Sequence, residues 1–376
     1  MPKITLIYYV KKLLLVCSLF YIQACGSEKE ASAFIDPFVE EIKKTMPKQQ
    51  IISQDTVSGS EAEPTWITVT PDNEYLVVAD RQTYAIQLFN KTGTKEFSKV
   101  GGKGRGPGEF ISISDLHAGQ DMAVYVVDLK LSRITKFNIG NESLSYVTTY
   151  SVKPQQNLSL HEIYVTQYGK FGVFQRMDDY ETWEQSYHLY HLDEKFQPLK
   201  HLLKMPGNEK MKLGQYSYID ALTGKKTFWD LDGKWFYHIR SDSPTVHLYN
   251  ITTGEQRKKT FFTLKKSINT DHSTEILKND FKAHVKRFPV ITESIEEDDT
   301  IPMFGDFLVR NKQIFFEVYP IGNKEYTVIR VDQETGNTSY FTIPWLARFF
   351  PAQNILYSIQ YNNNQRRQTM NIIKLQ

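Results

Sequence analysis

The run Val100-Gly-Gly-Lys-Gly-Arg-Gly-Pro-Gly-Glu-Phe110 sets five glycines around Arg105. Such a run brings unhindered backbone N–H groups close to an anion, and Arg105 adds a fork-shaped donor for carboxylate or phosphate. It meets neither phosphate-binding template. No Lys-Ser or Lys-Thr follows Gly102, so the P-loop spacing is absent. A dinucleotide loop opens a helix, and Pro107 between Gly106 and Gly108 opposes one. The plainer reading is a tight connection between two β elements, with glycines at positive φ. The wider reading is a rim loop that offers Arg105 to an anion, with Arg81, Arg176 and Arg240 able to reach the same face.

The remaining polar residues carry weaker chemistry. Asp80 and Asp128 end matching apolar runs, and Asp242 sits in a roughly similar place. An Asp there accepts hydrogen bonds from the turn beyond it, and its repetition favours structure over catalysis. His161-Glu162 lacks the second histidine of a zinc-helix motif. His188 and His191, three apart on an expected strand, point to opposite faces and share no metal. Asp178-Asp179 and Glu296-Glu297-Asp298-Asp299 are acidic loops without the alternating spacing of a calcium loop. No Gly-x-Ser-x-Gly elbow occurs. Trp183, Trp229 and Trp235 fit a core or a sugar-stacking platform. No catalytic residue, metal site or cofactor is expected, and whether the protein is an enzyme stays open.

Composition frames these residues. The chain has 376 residues, 40% hydrophobic, which excludes disorder and allows one large domain. Aromatic content of 13% favours β-structure. The net charge is +2, and Lys3, Lys11 and Lys12 account for all the charge before residue 25. Without residues 1–24 the bases number 42 against 43 acids, so the body has no bulk preference for nucleic acid or anionic lipid. The apolar run Leu13–Ile22 is too short for a bilayer span and follows a basic start, as in a secretory signal. It ends Ile22-Gln23-Ala24-Cys25-Gly26, which resembles a bacterial lipobox with Cys25 as the acylated mature N-terminus. Cys17 leaves with the signal, so Cys25 is the lone mature cysteine and no internal disulfide forms. The expected division is a signal at 1–24, a lipidated N-terminus and tether at 25–47, and a folded body at 48–376. Gly26, where inner-membrane retention favours Asp, points to the outer membrane, facing the periplasm or the outside.

The body repeats. Tyr75–Asn90 and Ala123–Asn138 align without gaps 48 residues apart: a β-rich run, an Asp, a polar turn, and a second run ending Phe-Asn. Weaker copies lie at Phe171–Asp193, Trp235–Asn250, Ile314–Asp332 and Ile355–Leu375. Six strand pairs at this spacing predict an all-β, six-bladed β-propeller of four-stranded antiparallel blades. The segment Lys48–Val57 is expected to complete the last blade, closing the ring and removing an exposed sheet edge. Between the fourth and fifth pairs, Ile276, Leu277, Phe281, Val285 and Phe288 have helical spacing. A helical insertion near 270–299 is expected, capped by Asp271 or Ser273 and stopped by Pro289.

The Gly-rich run with Asp128 and Arg133-Ile134 resembles the six-bladed propeller repeat related to the NHL type. With the lipobox, residues 50–376 look like the six-bladed propeller lipoproteins common in Bacteroidota. That resemblance implies the fold and no particular activity. The function expected is a lipid-anchored, non-catalytic binding or scaffold module of the cell envelope. It would be held to a membrane by its N-terminal lipid and would bind a protein, peptide or glycan rather than nucleic acid. The alternatives are a metal-dependent hydrolase or lyase of gluconolactonase type, with a Glu/Asn/Asp metal cluster at the channel mouth, and a carbohydrate-binding protein.

Overall fold

A computed structural model describes residues 36–56, 63–152, 157–214, 217–265, 270–298, 300–322, 325–344, 348–352, 355–362 and 367–375. The expected signal, Cys25 and the first part of the tether lie outside the described residues.

Helix α1 (Pro37–Thr45) and strand β1 (Ile51–Thr56) come first. Blade 1 holds β2 (Pro64–Val69), β3 (Tyr75–Asp80), β4 (Ala85–Asn90) and β5 (Glu96–Gly101). Blade 2 holds β6 (Asp115–Gly119), β7 (Ala123–Asp128), β8 (Arg133–Gly140) and β9 (Ser143–Ser151). Blade 3 holds β10 (Leu158–Thr166), β11 (Gly169–Met177), β12 (Gln185–Leu192) and β13 (Pro198–Pro206). A hairpin of β14 (Lys210–Gly214) and β15 (Ser217–Asp220) leads to blade 4, β16 (Thr227–Asp232), β17 (Trp235–Arg240), β18 (Thr245–Asn250) and β19 (Gln256–Thr260). Helices α2 (Asp271–Asp280), α3 (Lys282–Arg287) and α4 (Val290–Glu297) precede blade 5, β20 (Phe304–Arg310), β21 (Gln313–Val318), β22 (Glu325–Asp332) and β23 (Thr338–Pro344). Blade 6 holds β24 (Arg348–Ala352), β25 (Ile355–Asn362) and β26 (Arg367–Leu375).

Each of the six expected strand pairs forms the two central strands of one blade. Their apolar runs are continuous because both faces are covered by neighbouring blades. In β3, Val77 and Ala79 pack toward blade 2 with Val124, Val126 and Phe137. Leu76 and Val78, on the opposite face, pack toward blade 6 with Tyr357, Ile359 and Ile372. Similar apolar clusters fill the other four blade interfaces. The ring closes as expected. Blade 6 has the order β1-β26-β25-β24, with Gln54 opposite Ile373 and Thr56 opposite Asn371.

Part of the stretch expected as tether belongs to the folded body. Asp36 caps α1 by accepting the Phe38 N–H at 2.9 Å, and Pro37 opens the helix. Phe38, Val39 and Ile42 sink into the interface of blades 4 and 5. Residues 47–49 then run parallel to β23, with Gln49 N–H donating to Tyr340 O at 2.7 Å.

The insertion is helical and lies between blades 4 and 5, with two local differences from expectation. Thr270 caps α2 in a reciprocal pair with Ser273, while Asp271 is already inside the helix. Pro289 begins α4 instead of ending the insertion, because the first helical turn tolerates its missing N–H. The helices pack on the β14–β15 hairpin through Met211, Leu277, Ile291 and Ile295, and on Tyr319 and Ile321 of blade 5. Together they form a cap on blades 4 and 5 at one end of the propeller.

Deleting residues 51–56 is expected to expose the edge of β26 and turn a cooperative, soluble domain into an aggregating one. Light scattering and thermal melting check this. A deletion that melts within a degree or two of the intact chain contradicts the closure.

Candidate functional site

Strands alternate in direction within each blade, so two kinds of loop share one end. These are the connections between blades and the turns between the second and third strands. The Gly-rich run, the turns after Asp80 and Asp128, and the cap all lie there. The turn aspartates act as their repetition implies. Asp80 is buried and accepts the Gln82 N–H at 2.7 Å and the Thr83 N–H at 3.2 Å. Asp128 accepts the Leu131 N–H, and also the Ile111 and Ser112 N–H groups of the incoming connection. In blade 4 the matching position is Arg240, and Asp242 sits in the turn itself.

The Gly-rich connection is organised by its own chain. Gly101, Gly102 and Gly108 have φ of 86°, 147° and 76°. A Cβ on Gly101 would press on Phe110 at 3.1 Å. The Arg133 guanidinium gathers the carbonyls of Arg105, Gly106 and Glu109. The Glu109 carboxylate folds back to accept the Gly106 N–H at 2.8 Å, so an internal carboxylate already occupies this part of the loop. It lies where a Cβ on Gly104 would stand, 2.0 Å away.

The four candidate arginines differ. Arg105 is exposed and Arg81 half-buried, and neither side chain has a hydrogen bond or ion pair among the described residues. Arg176, exposed on blade 3, lies 3.6 Å from Asp178. Arg240 is built into blade 4, donating to Gly207 O at 2.7 Å and Thr227 Oγ1 at 3.1 Å. The structure leaves Arg81 and Arg105 on the blade 1 and 2 side, while Arg240 is used to tie the cap's hairpin to blade 4.

A second set of polar residues surrounds the axis. The innermost strands of blades 2 to 5 each carry an acid followed by a buried apolar residue: Asp115-Leu116, Glu162-Ile163, Asp230-Leu231 and Asp306-Phe307. Asp115 reaches the Ile163 N–H of blade 3 at 3.3 Å. His117 Nε2 accepts the Val165 N–H at 2.9 Å, which places the ring proton on Nδ1. Asp230 accepts the Val309 N–H of blade 5 at 2.8 Å, and Arg310 Nη1 meets both its oxygens at 2.7 Å. Asp232 accepts the Lys312 N–H at 3.0 Å, and the Trp66 indole donates to Ile113 O at 3.2 Å. These side chains staple the edge of one innermost strand to the next.

Burial decides their charge. It pushes the Glu162 carboxyl well above the usual range, with Asp115 and Asp230 adding to the rise, while the Trp229 indole N–H at 2.7 Å opposes it. The buried Tyr164 hydroxyl sits beside this carboxyl without closing a hydrogen bond. Burial, then Arg310, lowers His117 to about 4, so it is neutral at pH 7. The axial acids are thus neutral, ion-paired or engaged by backbone N–H groups. Among the described residues, no three His, Cys, Asp or Glu side chains are arranged to hold a metal ion. The sequence reading missed this ring. The signal is the acid-then-apolar pair ahead of the paired runs of blades 2 to 5, absent from blades 1 and 6.

The other flagged residues are placed as follows. His188 and His191 do point apart: His188 bonds Ser186 Oγ and His201 Nε2, and His191 packs on Phe171. Trp229 packs on Tyr187, Trp235 lies under Arg257, and Trp183 stacks on Tyr218 at 4.9 Å.

Lowering pH from 7.5 to 5 is expected to destabilise the fold. A histidine held below its ordinary pKa takes up its proton first in the unfolded chain, so stability is lost from about pH 6.5 downward to about 4. His117→Gln keeps an acceptor for Val165 and removes this titration. Denaturant melts should show it losing about 1 kcal/mol less than the parent over that interval, after allowing for partial solvent exposure. An unchanged pH slope contradicts the assignment.

Residues 67–356 match the model of the DUF5128 family, described as a 6-bladed beta-propeller. No curated protein matches the chain. Among solved structures it is similar to a "putative exported protein" of Bacteroides fragilis, at 13% identity and a TM-score of 0.49, over 86% of this chain and 94% of that one. It is also similar to the RRP9 WD40 repeats, at 8% identity and 0.48, over 88% and 100%. A third is a luciferin-regenerating enzyme, at 12% and 0.44, over 86% and 95%. With its family model spanning most of the propeller, the chain belongs to the DUF5128 family of 6-bladed beta-propellers.

Proposed function

We propose that the protein is a lipid-anchored, non-catalytic binding or scaffold module of the cell envelope, presenting its capped end to a protein, peptide or glycan. One observation carries this reading. The axial polar groups are engaged in holding blades together, while Arg81 and Arg105, on the blade 1 and 2 side of the same end, have no side-chain partner among the described residues. A site of this kind offers donors to a ligand's carboxylate or phosphate without a poised nucleophile or base. On the blade 4 and 5 side of that end the cap is held in place by Tyr319 Oη donating to Leu222 O at 2.9 Å and by the Gly322 N–H donating to Asp280 at 2.8 Å. The envelope address rests on the basic, short apolar N-terminus and on Ala24-Cys25. Gly26, in place of a retaining Asp, supports the outer membrane, with the propeller on its periplasmic or external face. A glycan ligand has one specific observation in its favour. Trp183 stacks on Tyr218 at the cap's edge, leaving aromatic surface near the rim.

Two measurements test this. Mass spectrometry of the mature protein should find an acylated Cys25, and Cys25→Ser should move the protein from the membrane to the soluble fraction. An unmodified N-terminus elsewhere overturns the anchor.

A melting screen with peptides, glycans and divalent metals should identify a stabilising ligand. Arg105→Ala should then weaken its binding about tenfold with an unchanged melting temperature. Unchanged affinity would leave the 101–110 loop as a linker, and turnover of a ligand would favour the hydrolase or lyase alternative.

A further inference from the structure

The near-neutral total charge hides a one-sided distribution. Each blade ends in an outer strand that faces solvent. In blades 2 and 5, β9 and β23 carry no charged residue. In blade 1, β5 carries Glu96 and Lys99, and β1 of blade 6 carries Asp55. By contrast β13 of blade 3 carries Lys200 and Lys204, and β19 of blade 4 carries Arg257, Lys258 and Lys259, with no acid in either strand. All five cations are exposed. Among the described residues, Asp178 lies 3.3 Å from Lys204, Glu255 pairs with Arg257 at 2.5 Å, and Lys259 Nζ donates to Gln333 O of blade 5 at 3.4 Å. The two strands are neighbours across the shallow groove lined by Leu203, His247 and Lys258, while Arg257, over Trp235, and Lys259, opposite Val246, emerge on the blade 5 side of the same outer strand. Leu199, 66% exposed, projects from the same wall.

The N-terminal chain enters the body beside this wall. Helix α1 is seated between blades 4 and 5, and its Glu41 carboxylate accepts the Lys265 N–H at 3.1 Å, just beyond β19. Asp36 lies eleven positions beyond Cys25, a reach of at most about 40 Å. The tethered chain therefore enters the propeller at blades 4 and 5, beside β19.

We propose that the outer wall of blades 3 and 4 is a docking surface for anionic phospholipid headgroups, which holds the propeller on its side against the membrane. Lys200, Lys204, Arg257, Lys258 and Lys259 meet the headgroups, and Leu199 adds an apolar contact at their level. One lipid chain gives only marginal membrane binding, and a basic patch is the second attachment that makes it stable. With the propeller axis along the surface, the capped end stays open to its ligand. The orientation rests on the anchored reading above, whereas the affinity of the wall for anionic lipid does not. Edge protection alone would explain charged outer strands, since lysines discourage sheet-to-sheet pairing. It does not explain five cations of one sign on two adjacent blades and none on blades 2 and 5.

The test uses the chain from Gly26, which keeps every described residue and lacks the lipid. Its co-sedimentation is measured with vesicles of phosphatidylcholine alone and with added phosphatidylglycerol. Binding should appear only with phosphatidylglycerol and should fade at high salt. Replacing Arg257, Lys258 and Lys259 together by Gln should reduce partitioning about a hundredfold, and Lys200→Gln with Lys204→Gln about tenfold. Lys99→Gln on blade 1 should change nothing, and melting curves confirm that each variant is folded. Equal partitioning to both vesicles overturns the proposal. So does a folded triple variant that still binds, or one that aggregates while keeping its affinity, which assigns the cations to edge protection. An acidic protein that binds the wall while phosphatidylglycerol vesicles do not also overturns it. Loss of Cys25 acylation in the mass-spectrometric test leaves these vesicle outcomes standing and removes only the orientation.

Discussion

A four-stranded blade has two apolar faces and an inner edge that must be covered, and an outer edge that meets water. The faces are covered by neighbouring blades, as the opposite-facing pairs Leu76 and Val78, Val77 and Ala79 illustrate. The edges are harder, because their N–H and C=O groups have no partner inside the blade. Around the axis, Asp115, His117 and Asp230 reach the free N–H groups of the next blade. At the perimeter, β23 is shielded in part by residues 47–49 and β26 is completed by β1. Much of the polar chemistry of this chain follows from that demand.

The same demand narrows the choice among functions. A buried carboxylate is stable only when neutral, paired or hydrogen-bonded. Asp230 is paired and hydrogen-bonded, and Glu162 is pushed toward its neutral form. Residues that would look like a catalytic ring by type therefore behave as fasteners. Farther out lie the connections between blades and the cap. There the backbone has been made permissive by glycine at Gly101, Gly102 and Gly108. Propellers commonly vary their loops over a fixed ring, and here the 207–226 and 261–303 connections are the large departures.

Blade architecture was legible in the sequence because its cause is local. Alternation, turn residues and apolar runs recur at each blade, and six copies of a weak signal sum to a strong one. The helical insertion was legible for the same reason, through Ile276, Leu277 and Phe281. Its cap was misplaced by one residue or more because Thr270, Asp271 and Ser273 are all good caps by type. Only the backbone turn selects among them. The helix at 37–45 escaped notice because a single nine-residue stretch beside a polar tether has no repeat to support it.

By itself the sequence determined the number of blades, the closing strand, the insertion and the structural role of Asp80 and Asp128, all consequences of short-range pattern. It could not reveal which charged side chains would meet. Asp230 and Arg310 are 80 residues apart, and Asp115 finds its partner N–H in the next blade. The ring of axial acids, the self-contained Gly-rich loop under Arg133, and the cationic wall of β13 and β19 exist only once closure brings distant strands to a common radius. Charge counted along the chain averages to almost nothing, whereas electrostatic interaction depends on distance in space, which the closed ring sets.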